Sequence, residues 1–158
     1  MNAQELFFKT IQIGNVENLK LQLENNLHLV NSEDHRGFTP LIFATYFDKV
    51  DITKVLIDHK AEIDAKDASG NTALIGVSFK GNLKLVKLLM DNGANVNAQN
   101  NKGTTALMFA TQYNQDAIVA QLLAYNADRN ITDIEGKSAE DYAREKGFVS
   151  IAKLLTDI

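Results

Sequence analysis

The stretch Gly70-Asn71-Thr72-Ala73-Leu74 decides the reading of this chain, because it recurs at a fixed interval. Upstream stands Gly37-Phe38-Thr39-Pro40-Leu41; downstream stand Gly103-Thr104-Thr105-Ala106-Leu107 and Gly136-Lys137-Ser138-Ala139. Each glycine follows the previous one by 33 residues, with a hydroxyl side chain two residues after every one. Eleven residues beyond the glycines lie Asp48, Gly81, Asn114 and Gly147. Glycine, asparagine and aspartate best tolerate a left-handed backbone at a helix end. Each is therefore predicted to mark a turn between two short helices. Gly14 belongs to the same column but precedes Asp48 by 34, so one residue is inserted between the first unit and the second.

Apolar clusters follow at one offset: Ile52 to Ile57, Leu85 to Met90, Ile118 to Leu123 and Ile151 to Leu155. Their spacing is that of a helix with a broad buried face. Every unit thus reads as a hydroxyl N-cap, a short helix, a left-handed turn, a second helix and a polar loop such as Asn92-Gly93-Ala94-Asn95. Pro40 falls at a first helical position, where its missing N–H costs nothing. Helices below ~12–15 residues are marginal alone in water. Units built from such helices must stack.

These residues carry a family resemblance. The chain resembles ankyrin-repeat proteins, whose repeat is 33 residues with a Thr-Pro-Leu-His signature. The resemblance covers essentially the whole chain and implies an all-α solenoid of helix-turn-helix units joined by short hairpin loops. The 158 residues are expected to form a single domain. Its N-terminal capping unit spans 1–33, internal repeats span 34–66, 67–99 and 100–132, and a C-terminal capping unit spans 133–158. Ile42, Ile75 and Met108 replace the signature histidine, so apolar packing is expected where a Thr-to-His hydrogen bond would stand. Alanine replaces the proline at 73, 106 and 139, at little cost to a helix. Glu140 and Asp141 stand where Leu74 and Ile75 stand earlier, as suits a capping unit whose outer side meets water. Ser138 with Asp141 also has the spacing of a capping box.

Composition narrows function. With 16 basic and 20 acidic side chains the net charge is −4, which disfavours nucleic acid and anionic membrane as partners. The 68–100 stretch is the one with a positive excess, and its Lys84 and Lys87 are expected on a solvated outer helix face. There is no cysteine, which fits a reducing, intracellular and cytoplasmic setting. The start Met1-Asn2-Ala3-Gln4-Glu5 lacks the basic, apolar pattern of a signal peptide, and no apolar run approaches the ~20 residues of a membrane span. His28, His35 and His59 lack metal-ligand spacing, so no metal is expected. Gly136-Lys137-Ser138 copies the end of a phosphate loop, but Ile131 stands where that motif needs glycine. Asn130-Ile131-Thr132 matches a glycosylation acceptor by chance. Carboxylate pairs such as Asp64 with Asp67 lie in loops where acids are solvated, and no nucleophile-base arrangement can be assembled. No enzyme activity and no cofactor are expected.

What the resemblance implies instead is a protein–protein interaction module that binds another protein on a concave face, while the chain stays monomeric in isolation. A dedicated inhibitor or immunity-type protein occluding one enzyme's active site would use the same surface. Carried over by position, the contact columns are loop tips and first-helix ends. The tips are His35, Arg36 and Phe38; Ala68, Ser69 and Asn71; Asn101, Lys102 and Thr104; and Ile134, Glu135 and Lys137. The helix-end pairs are Gln12 with Ile13, Tyr46 with Phe47, Phe79 with Lys80, Gln112 with Tyr113, and Glu145 with Lys146. Phe38, Tyr46, Phe47, Phe79 and Tyr113 make this surface aromatic, and Arg36, Lys80 and Lys102 are expected to rim it with charge. Phe43, Phe109 and Tyr142 are expected in the core, as is Leu88.

Overall fold

The hydroxyls that follow the repeat glycines are N-caps. In a computed structural model that describes residues 1–157, Thr39, Thr72 and Thr105 accept the amide hydrogens of Ile42, Ile75 and Met108. Ser138 does the same for Asp141, whose carboxylate returns to the Ser138 amide at 2.8 Å, completing the capping box. The turn positions are left-handed throughout: φ is +86° at Gly14, +55° at Asp48, +87° at Gly81, +55° at Asn114 and +70° at Gly147.

Ten α-helices result among the described residues, with no strand. The first helices of the units are α1 (Ala3–Ile13), α3 (Pro40–Tyr46), α5 (Ala73–Lys80), α7 (Ala106–Gln112) and α9 (Ala139–Lys146). The second helices are α2 (Val16–Asn25), α4 (Val50–Asp58), α6 (Leu83–Asp91), α8 (Asp116–Ala124) and α10 (Val149–Thr156). Each first helix packs on the second helix of its own unit and on the first helices of its neighbours, so two rows of helices run side by side. The extra residue of the first unit is taken up in a 3₁₀ turn, Leu27–Asn31, which buries Leu29 and Val30.

Between the rows lies one continuous core. Leu41, Leu74 and Leu107 from the first row meet Ile52, Leu85, Ile118 and Ile151, and Leu56, Leu89, Leu122 and Leu155, from the second. Ile42, Ile75 and Met108, in the histidine column, are buried apolar contacts, as the sequence predicts. Leu88 is half-buried rather than core, because it sits one helical step away from Leu89 on the outer side of α6.

Polar ladders tie the units together with the same period. The side-chain oxygens of Asn31, Asp64 and Asn97 accept the amides of Glu62, Asn95 and Asp128 at 2.9, 2.9 and 2.8 Å. Each bond crosses one unit boundary and satisfies an amide in the next loop.

Candidate functional site

Short fingers precede the first helices at 34–38, 67–71, 100–104 and 133–137. An aspartate or asparagine builds each one. The Oδ1 of Asp34 accepts the amides of Arg36 and Phe38, both at 2.9 Å. Asp67 does so for Ser69 and Asn71, Asn100 for Lys102 and Thr104, and Asp133 for Glu135 and Lys137. A side chain that bonds the backbone two residues on is a local turn-former. The repeat glycines then supply the positive φ that closes the finger, +78° at Gly70 for example.

Asp34 is partly buried, which alone would raise its carboxyl pKa. The amides of Phe38 and Arg36 and the Arg36 guanidinium outweigh that burial and hold it below the ordinary 3.8. Asp133 behaves alike: burial is overcome by the Tyr142 phenol, two backbone amides and the Lys137 charge. The Tyr142 phenol is in turn pushed up by burial and by the Asp133 carboxylate.

Tyr46, Phe79 and Tyr113 stand on the side of the first-helix row where the fingers rise, at 53, 41 and 51% exposure. Phe79 and Tyr113 meet edge to face with centroids 4.4 Å apart. Tyr46 meets Phe47 at 5.1 Å, and Phe47 meets Phe43 at 4.8 Å. Lys80 sits against the Tyr46 group. Its ammonium lies 4.9 Å over the Tyr46 ring, donates to the Tyr46 carbonyl and sits 3.2 Å from Asp48. The Asn82 amide and Lys80 hold the Asp48 carboxyl below its usual range. At the first finger, the Arg36 guanidinium pairs with Asp34 and covers the Phe38 ring at 4.7 Å.

Two depressions lie along this row. One, of about 200 Å³, is bordered by Phe38, Tyr46, Asn71, Phe79 and Lys80; the other, of about 240 Å³, by Asn71, Phe79, Phe109 and Tyr113. A third, of about 600 Å³, separates α1 from the first finger and is lined by Phe8, Lys9, Gln12, His35 and Arg36. Ser69, Lys102 and Gln112 border none of the three.

Several expected positions differ in the structure. Thr104 is only 7% exposed; its amide and carbonyl both bond Asn100 and close the finger. Phe38, Phe47, Asn71 and Gln112 are half-buried: the first two pack on the core, and Asn71 Oδ1 accepts the Asn100 amide at 2.9 Å. Phe109 and Tyr142 are likewise half-buried, whereas Phe43 is buried against Phe8 at 5.2 Å. Arg36 and Lys80 are neutralised by Asp34 and Asp48, so Lys102 is the one of the three rim cations without a carboxylate partner among the described residues. Sequence reasoning missed the finger-building Asp34, Asp67, Asn100 and Asp133. Their signal was an Asp or Asn three residues before every repeat glycine. Gly76, which also shapes the wall, is marked by standing in the column of Phe43, Phe109 and Tyr142, whereas Phe8 carries no such mark.

Among the described residues no three acids or histidines gather as a metal site would require, and no helix is long and apolar enough to cross a membrane. Fold and surface together define a helical repeat stack with one open, ring-bearing wall. The family model for ankyrin repeats (three copies) matches residues 7–100 and again 74–158, and the chain belongs to the ankyrin-repeat family. It is 39% identical over 49 residues to the human DNA-binding protein RFXANK, a match that takes in 31% of this chain and 19% of that protein. Ankyrin repeats are generally protein–protein interaction modules and form a non-enzymatic class.

Proposed function

We propose that this chain, as one domain spanning 1–158, binds another protein across the concave, finger-bearing wall and performs no chemistry itself. The observation that carries the reading is the row formed by Tyr46, Phe79 and Tyr113, three large rings left about half exposed where a packed core lies one layer behind. A soluble surface gains nothing from such rings in isolation, whereas an aromatic can bury 150–250 Å² against a partner and such residues dominate binding energy. Arg36, Ser69, Lys80, Lys102 and Gln112 supply the polar rim. Phe38, Phe47 and Asn71 shape the floor, and Thr104 holds its finger closed. The partner is a protein rather than nucleic acid, since the net charge of −4 repels a phosphate backbone.

The test is capture of the partner from cells on immobilised chain, followed by calorimetry. Tyr46→Ala combined with Phe79→Ala is expected to weaken binding by more than ~2 kcal/mol. The helical circular dichroism should be unchanged. Undiminished affinity in a folded double variant would remove this wall from the account. The free chain is expected to elute as a monomer at low and high concentration in gel filtration.

A further inference from the structure

Six residues beyond the repeat glycine, three units place an aromatic ring: Phe43, Phe109 and Tyr142. The unit between the first two places Gly76, inside α5. Glycine in a helix interior is destabilising relative to alanine. Nothing in the free chain asks for it here. Its backbone is not left-handed, and a Cβ added at Gly76 would meet no atom within 4 Å. This row of rings is therefore interrupted by a notch between Phe43 and Phe109.

Both depressions of the wall open onto Gly76, one toward α3 and one toward α7, with Phe79 and Asn71 bordering each. At about 200 and 240 Å³ they fall below the ~300–1,000 Å³ of small-molecule sites, so they suit a single side chain rather than a cofactor. Their lining is mostly rings and aliphatic carbon. Asp67 and Lys80 are the charged residues among it, and Lys80 is already paired with Asp48 at 3.2 Å. The Asp67 Oδ1 is occupied by the Ser69 and Asn71 amides, whereas the Lys80 ammonium already sits over one ring, that of Tyr46. A cation at the mouth favours the negative face of a second, electron-rich ring. Asn71 adds a directional group: its oxygen accepts from Asn100, and its NH₂ donates to no acceptor among the described residues.

Resting on the concave-wall reading, we propose that the notch over Gly76 receives one tyrosine or tryptophan side chain from an extended segment of the partner. The inserted ring fills the gap in the row, and a backbone carbonyl of the same segment accepts from Asn71.

The probe is a displayed library of random dodecapeptides, selected on the full chain and followed by calorimetry with the enriched peptide. Enriched sequences should share one tyrosine or tryptophan, and replacing it by alanine should weaken binding at least about tenfold. Gly76→Phe fills the notch from within and should cost at least about tenfold, while its melting temperature and circular dichroism report the fold. Gly76→Leu serves should the larger ring disturb α5. Enriched peptides lacking an aromatic, affinity within twofold in a folded Gly76→Phe or Gly76→Leu variant, or failure to enrich any peptide overturns the proposal. Peptides weakened by Tyr46→Ala with Phe79→Ala but indifferent to the Gly76 variants would sink the notch and leave the wall. Peptides indifferent to both sets would sink both.

Discussion

The two sides of the first-helix row share one 33-residue period and use it differently. On the side that meets the second row, Leu41, Leu74 and Leu107 repeat, and the second helices they face repeat likewise, with Ile52, Leu85, Ile118 and Ile151 in one column and Leu56, Leu89, Leu122 and Leu155 in another, all buried. On the finger side the columns are mixed. Tyr46 is matched by Phe79, Gln112 and Glu145; Phe47 by Lys80, Tyr113 and Lys146; Phe43 by Gly76, Phe109 and Tyr142. Packing against the same neighbour in every unit restricts volume and polarity, so the core columns repeat. A wall with no internal neighbour escapes that restriction. Its residues are free to differ from unit to unit, as the proposed recognition of a partner would require.

The strongest way to break this comparison is in the core. Leu89→Ala empties a fully buried site and is expected to lower stability by ~2–5 kcal/mol in denaturant unfolding. Leu88→Ala, half-buried on the same helix, should cost well under half as much; equal losses would erase the distinction between the two faces of α6. A smaller effect comes from the caps. Thr72→Ala removes the oxygen that accepts the Ile75 amide and should cost ~1 kcal/mol, restored in part by serine.

Two changes on the finger side sharpen the contrast with opposite signs. Gly76→Ala meets no atom and should stabilise the free chain by ~0.5–1 kcal/mol, read as a raised melting temperature. A loss of stability would mean that the backbone at 76 is strained. Acid works against the fingers. Asp34 and Asp133 have carboxyl pKa values held below 3.8, so their ionised forms favour the folded state. That contribution is complete above the unfolded carboxylate value near ~4 and disappears as pH falls through the depressed folded values. Asp34→Asn and Asp133→Asn should flatten the acid limb of the stability curve. An acid limb as steep as before would assign it to other carboxylates.

Most of the fold was legible because its determinants are local and repeated. A glycine every 33 residues, a hydroxyl two residues later and a left-handed position eleven residues on fixed the caps and turns that the structure displays at Thr72 and Gly81. The wall was harder to read, since exposure depends on what the neighbouring unit places alongside. Thr104 occupies a tip column yet is buried, whereas Phe38, Asn71 and Lys137, held by the same backbone bonds, are half-buried. Phe109 shares a column with buried Phe43 but stays half-exposed: Phe43 is covered by Phe8 of the preceding unit at 5.2 Å and by Phe47 at 4.8 Å, whereas Phe109 has Tyr113 at 6.4 Å. Neither fact is contained in the residue or its column. The cover on Phe43 comes from the neighbouring unit, which a single period does not reveal.

Under the proposed function the finger-bearing wall contacts the partner while the second row only supports that wall. Amide chemical-shift mapping of the isotope-labelled chain on addition of the captured partner tests this most directly. The account predicts that the changes gather at Tyr46, Phe79, Lys80, Tyr113 and the fingertips at Arg36, Ser69 and Lys102. Changes concentrated instead at Lys54, Lys84, Lys87 and Ala120, on the exposed faces of α4, α6 and α8, would contradict it.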